Sequence, residues 1–189
     1  LMISARGVWR TEGFPYAIDN GAWTSYRRGE PFDSDAFRAC VWRFGSRADF
    51  VVVPDVVAGG MESFWLSLSW LPWLNGLPMS VRLLLPVQDG MRPEDVSYVF
   101  DRRLGIFVGG TDRWKETTAP AWGKVAKSAG AWMHIGRVNT RRRIAIAQDA
   151  GADSIDGSSA SRFAVNVRPL TSALRQESLY SRALGKVPR

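Results

Sequence analysis

Short apolar runs, each closed by Asp, Gln or Gly, alternate along this chain with longer stretches whose apolar positions recur at helical spacing. The first run ends at Ile18-Asp19. The second, over 50–55 (Phe-Val-Val-Val-Pro-Asp), is β-branched and bounded by Pro and Gly, so it reads as a strand. Further strands are predicted over 81–90, 105–110, 131–136 and 153–156. Between them the spacing predicts a helix over 34–44, with Asp33 or Ser34 as N-cap, and another from Asn139 or Thr140 through Ala150. Helices are also expected over 61–71, ended or kinked by Pro72, over 93–100 with Pro93 in the first turn, and over 121–129. A basic tail over 162–189 carries one more helical pattern, from about Leu170 to Leu184.

Strands recurring between helical stretches imply a parallel sheet with crossover helices. About six such units are visible, against the eight of a closed barrel. The expected class is therefore α/β, a compact or incomplete (β/α) TIM-like barrel with parallel strands. The 189 residues fit a single domain, 1–189, with a full-sized core. A barrel short of strands leaves edges that a second copy, as a homodimer, or a partner protein would cover.

Hydrophobic residues make up 46% and charged residues 23% of the chain, a globular balance that argues against disorder. The net charge of +7 favours a polyanionic partner, nucleic acid first, over a basic surface without a dedicated partner. Cys40 is the only cysteine, so an intramolecular disulfide and a multi-cysteine zinc site are both excluded. Its apolar surroundings predict a core position. His134 is the only histidine, which rules out catalysis through several imidazoles. Any Ser-His-Asp triad would have to use it, and no G-x-S-x-G elbow accompanies it. There is no Walker-type loop. The apolar run over 65–77 contains Pro72 and Asn75 and is too short to span a membrane, and no signal peptide is visible. A cytoplasmic protein is expected.

The polar strand ends carry the chemistry. Asp19, Asp55, Gln88, Gly109-Gly110, Met133 and Asp156 all fall at C-terminal ends of predicted strands, which share one rim in a parallel sheet. A lone Asp after a strand is commonly a cap or turn residue, but capping does not explain Gln88 or the Gly pair. Carboxylates, an amide and open backbone N–H groups together suit a flat, hydrogen-bonding heterocycle, with Trp23 and Met133 closing above and below it.

These segments resemble those of the tRNA-guanine transglycosylases. Asp19-Asn20-Gly21-Ala22-Trp23 is similar to that family's Asp-Ser-Gly-Gly-aromatic segment, and Val87-Gln88-Asp89-Gly90 to its Val-Gln-Gly-Gly. Phe107-Val108-Gly109-Gly110 resembles its Gly-Gly base-binding loop, and Trp132-Met133-His134-Ile135-Gly136 its Leu-Met-Gly-Val-Gly. The segment from Gly151 to Asp156, with Arg162 beyond it, matches the spacing around the family's nucleophile. The resemblance covers residues 16 to 162 and keeps the family's order.

The resemblance implies Asp156 as the nucleophile at the sugar C1′ and Asp19 as the general acid/base, in a retaining glycosyl transfer through a covalent intermediate. It also implies base reading by Asp55, Gln88, Gly109 and Gly110, and stacking by Trp23 and Met133. Departures matter too. No zinc site can form, the chain is short, and Gly157 and Ala160 replace the Cys and Pro that follow the family's nucleophile. These features are similar to the small phage- and island-encoded relatives that insert 7-deazaguanine bases, such as preQ0, into DNA. Likeness to that branch implies a DNA-guanine transglycosylase in the host cytoplasm, needing no cofactor beyond the 7-deazaguanine co-substrate, with the target base extruded from the duplex. The alternatives are a tRNA-acting relative, a base glycosylase, and a DNA-binding module without activity.

Arg137, Arg141, Arg142 and Arg143 surround a predicted helix start near the rim, where guanidinium groups and backbone N–H groups suit phosphates, as does Arg162. The bland reading of the same run is a solvated helix face. Arg27-Arg28, Arg102-Arg103, Arg113 and Lys115 are further phosphate candidates. Among the nine tryptophans, Trp42, Trp65 and Trp70 are expected in the core, and Trp23, Trp114 and Trp122 are candidates to stack on bases. His134 should alternate away from Met133 and pack.

Overall fold

The computed structural model describes residues 1–158 and 163–175. Seven strands are present among them: β1 (Met2–Ser4), β2 (Ala17–Asp19), β3 (Phe50–Val52), β4 (Arg82–Val87), β5 (Leu104–Val108), β6 (Met133–Ile135) and β7 (Ser154–Ile155). They pair in chain order and all in parallel. The sheet curls into a half-barrel surrounded by helices, the incomplete β/α barrel that the alternation of elements predicts. The helices are α1 (Ala22–Arg28), α2 (Ser34–Phe44), α3 (Met61–Asn75), α4 (Pro93–Val96), α5 (Asp112–Ala129), α6 (Arg141–Asp149) and α7 (Val167–Arg175).

Each strand exposes alternate side chains to opposite faces. On the convex side Ile18, Val51, Leu85, Ile106 and Met133 meet Phe37 and Val41 of α2, Phe64 of α3 and Trp122 of α5 in one buried cluster. The concave side holds a smaller cluster of Ala17, Phe50, Val52 and Leu84, with Met2, Phe107 and Trp132 packed against it. Parallel strands covered on both faces read as continuous apolar runs, which is why Leu83-Leu84-Leu85 shows no alternation.

Several elements differ from expectation. β1 is an additional strand; three residues hold too little periodicity to be seen, and pairing with β2 (Met2 opposite Ala17) creates it. α1 is an additional helix, whose Gly21 N-cap has φ 85° and no side-chain cap. α5 begins nine residues before the expected start, capped by Thr111, and carries Pro120 in its interior. α3 likewise runs through Pro72 to Asn75. Of the tail helix, α7 is the described part, and the expected extension to Leu184 lies outside the described residues. α7 packs along α6 and receives a hydrogen bond from Gln148 Nε2 to the Leu174 carbonyl at 3.2 Å. Trp42 and Trp65 are exposed, not core, because α2 buries Phe37, Cys40 and Val41 and turns Trp42 outward. Trp122 is fully buried and cannot stack on a base. Cys40 is in the core as expected, and burial, with the Asp19 charge adding, pushes its thiol up to about 12.

Candidate functional site

The C-terminal strand ends open onto a cavity of about 580 Å³, within the usual range of small-molecule sites. Asp19, Asp55, Gln88, Gly109, Gly110 and Asp156 all line it, with Trp23 and Arg137. Met2, Val52, Pro86 and Phe107 give it an apolar floor. The lining therefore combines polar walls with an apolar floor.

Asp19 ends β2. Its Oδ2 accepts the Gly21 N–H at 3.1 Å, a local turn that Asp-x-Gly favours and that aims the carboxyl across the mouth. Burial raises the Asp19 pKa, and the nearby negative charge of Asp156 adds to the rise against the pull of the Gly21 N–H and of His134. Asp156 follows β7. Burial would raise it too, but the hydrogen bonds from His134 and from the Arg137 N–H work against that, and its pKa is lowered. His134 Nε2 lies 3.1 Å from Oδ2, and Arg137 N donates to Oδ1 at 2.9 Å. The chain beside it is tight: a Cβ on Gly157 would stand 2.5 Å from the Val138 carbonyl oxygen, so the residue after Asp156 must be glycine here. Two carboxyl groups therefore share one cavity with their proton affinities driven apart, the arrangement that separates an acid from a nucleophile.

Asp55 sits behind this pair in an amide cradle. Asn20 Nδ2 donates to Asp55 Oδ1 and to the Val53 carbonyl, both at 2.8 Å, while Asn20 Oδ1 accepts the Ala22 N–H. Gln88 Nε2 donates to Ser63 Oγ at 2.7 Å and to the Val56 carbonyl at 2.8 Å, and lies 3.4 Å from Asp55 Oδ2. Gln88 Oε1 accepts the Ala58 N–H at 2.7 Å. The Gln88 amide is thus engaged at both ends in holding the loop over 56–58, and only 3% of the residue is exposed. Burial, reinforced by the Asp19 charge, pushes Asp55 up to about 6.

The Gly pair divides its work. The Gly109 N–H donates to the Val87 carbonyl at 2.9 Å and so is not open to a ligand. Gly110 has φ +75°, and a Cβ there would stand 2.5 Å from Asp89 Oδ2, so only glycine fits. Asp89 also accepts the Thr111 N–H at 2.6 Å and the Thr111 hydroxyl at 2.7 Å, tying the β4 loop to the start of α5. Arg137 adopts φ 58°, unusual for a residue with a side chain. Its guanidinium donates to the Gly110 carbonyl and lies 5.0 Å from the Trp23 ring centre, while Tyr26 stacks on Trp23 at 5.8 Å.

Met133 is not at the site. It is fully buried in the convex core, and its neighbour takes the inner position. The cause is register: His134 pairs with Phe107, which faces the cavity, and Met133 pairs with Ile106, which faces the helices. His134 accordingly packs between Phe107 (5.1 Å, stacked) and Phe50 (5.1 Å) and reaches Asp156, a contact that the sequence pattern assigns to neither residue. Asn20 and Asp89 are further organisers that the sequence does not single out; their only signal is position beside Asp19 and Gln88.

The basic cluster splits. Arg143 bonds Glu116 Oε1 at 2.9 Å and Asp112 Oδ2 at 2.7 Å, and Arg142 lies 2.9 Å from Glu116, so both tie α6 to α5. Arg141 is exposed at the α6 start, and Arg162 lies outside the described residues. Lys115 is not a surface phosphate contact but a buried strut on α5, donating to the Gly136 carbonyl at 2.6 Å. Among the described residues no His/Cys/Asp/Glu group suits a metal ion, and no helix is long and apolar enough to cross a membrane. Neither a protein-family model, nor a curated protein, nor a solved structure matches this chain.

Proposed function

We propose that the protein is a base-exchange transglycosylase that replaces guanine in DNA with a 7-deazaguanine base. The observation that carries this reading is the carboxyl pair: Asp19 and Asp156 line one cavity, Asp156 lowered and Asp19 raised in proton affinity. The Asp156 carboxylate attacks C1′ of the target nucleotide as the glycosidic bond breaks, and Asp19 gives its proton to the departing guanine. The sugar is then held as an ester on Asp156. The incoming base attacks C1′ while its ring N–H passes a proton to Asp19, and Asp156 leaves as carboxylate. Asp55, in its amide cradle, reads the polar edge of the base, and the apolar floor excludes water that would otherwise hydrolyse the ester. The reaction draws on no cofactor beyond the incoming base, and a cytoplasmic location suits access to DNA.

The test is incubation of wild type, Asp156→Ala and Asp19→Ala with DNA and labelled preQ0. Incorporation by wild type with loss of at least about a hundredfold in Asp156→Ala is expected, given what losing a nucleophile costs. Labelling of tRNA instead of DNA would move the substrate. Guanine release with no incoming base would make the enzyme a glycosylase. Incorporation undiminished in Asp156→Ala would overturn the assignment.

A further inference from the structure

The Asp156 carboxylate is the end of a hydrogen-bond chain that begins at an indole. Trp132 Nε1 donates to Ser154 Oγ at 3.0 Å, Ser154 Oγ lies 2.8 Å from His134 Nδ1, and His134 Nε2 lies 3.1 Å from Asp156 Oδ2. The direction of every bond follows from the groups at its two ends. An indole N–H can only donate, and an ionised carboxylate can only accept. If Nδ1 carried the proton, the lone pair of Nε2 would face the carboxylate oxygen, acceptor against acceptor. With a neutral imidazole, the one arrangement that satisfies all three contacts has the Ser154 hydroxyl proton pointing to Nδ1 and the imidazole proton on Nε2. The imidazole is 3% exposed at its side chain and held on both faces by Phe50 and Phe107, so it cannot turn over without opening the core.

We infer that Trp132, Ser154 and His134 form a one-directional relay that fixes His134 as the Nε2–H tautomer and makes it a positioning residue for Asp156. This inference rests on the transglycosylase reading only for its kinetic consequence. With Nε2–H on Oδ2 and the Arg137 backbone N–H on Oδ1, both oxygens are tethered from different elements, β6 and the turn after it. The carboxylate plane is then set before substrate arrives, which lowers the ordering cost of the attack. The same three residue types make up a hydrolase triad, but these cannot act as one. Ser154 Oγ accepts the Trp132 N–H hydrogen bond and does not line the cavity, whereas Asp156 does.

His134 is the only histidine in the chain, so its ring nitrogens give the only imidazole signals in the spectrum of the ¹⁵N-labelled protein. At pH 8 the expected result is a pyrrole-type Nε2 and a pyridine-type Nδ1. A pyrrole-type Nδ1, or nitrogens averaged between the two forms, overturns the relay, whatever the activity proves to be. Kinetics then separates positioning from packing. His134→Phe keeps an aromatic ring between Phe50 and Phe107 but removes the donor. It should lower kcat on the order of 10- to 100-fold, as lost outer-sphere orienting contacts do, with KM for the base within twofold. His134→Gln, whose side-chain N–H reaches toward Oδ2, should recover most of that loss. Equal losses in Phe and Gln variants, or a loss confined to KM, overturn the positioning role. An inactive wild type with the Nε2–H tautomer intact would refute the transglycosylase reading and leave the relay standing.

Discussion

Asp55 shows how one side chain would tie the proposed base recognition to stability. Its pKa is pushed to about 6 first by burial and then by the Asp19 charge, against the hydrogen bonds from Asn20 and Gln88. The native state therefore keeps a proton that the unfolded chain gives up near pH 4. Stability falls as pH rises from about 4 to about 6, and above that window the cost of the buried charge, of order 2–3 kcal/mol, is fully present. Asp55→Asn removes the titration. The Tm of the variant relative to wild type should be higher at pH 8 than at pH 4; a difference that is flat across this range, or reversed, would show that Asp55 is not the source. Base exchange should fall in the same variant, since an amide presents a different edge. At this scale the sequence is legible where an apolar run ends in Asp and turns through Gly, as at Asp19 and Asp156. It is not legible at Met133 and His134, because which of two neighbours faces inward on a three-residue strand depends on its register with β5.

Elements are visible where caps and periodicity agree. α2 is legible to the residue because Asp33 caps it through the Ala36 N–H and its Phe37-Cys40-Val41 face is apolar. α5 looks truncated in the sequence because Pro120 reads as a helix start, whereas the upstream residues keep helical contacts and Trp122 and Ala119 anchor the helix in the core. Packing here overrides the local cost of a proline. The same helix depends on Gly123. A Cβ there would stand 1.9 Å from the Ala150 carbonyl oxygen and 2.9 Å from its carbon, backbone atoms at the end of α6. In an open helix, Gly→Ala would stabilise by about 1 kcal/mol. Here the clash decides, and Gly123→Ala should lower stability by about 2 kcal/mol or more as α5 and α6 separate. Chemical denaturation checks it: a midpoint at or above that of wild type would mean the two helices do not meet there. Because Arg142 and Arg143 cross the same seam to Glu116, the loss should extend to the turn carrying Arg137.

On the scale of the whole molecule, parallel pairing puts every strand C-terminus, the cavity and the start of α6 at one end of the half-barrel. The charge of +7 is spread over the chain, but not every arginine near that end can reach a phosphate. Arg143 is held by Glu116 and Asp112 with 23% of its side chain exposed, whereas Arg141 stands free of those two acids and open to solvent. Counterion release turns this difference into a slope. Each phosphate neutralised on duplex DNA contributes about −0.9 to the dependence of log affinity on log salt. By that relation, Arg141→Ala should reduce the steepness of the salt dependence by about 0.9, with little change in Tm. Arg143→Ala should leave the slope unchanged and lower the Tm instead, since it removes the side chain that bridges Glu116 and Asp112 across the seam of α5 and α6. Fluorescence anisotropy on duplex DNA over a range of salt concentrations reads the first effect and thermal melting the second. If the two variants exchange these behaviours, the phosphate path runs over the α5–α6 seam and not past the α6 start. A slope near zero for wild type would remove nucleic acid as the polyanion altogether.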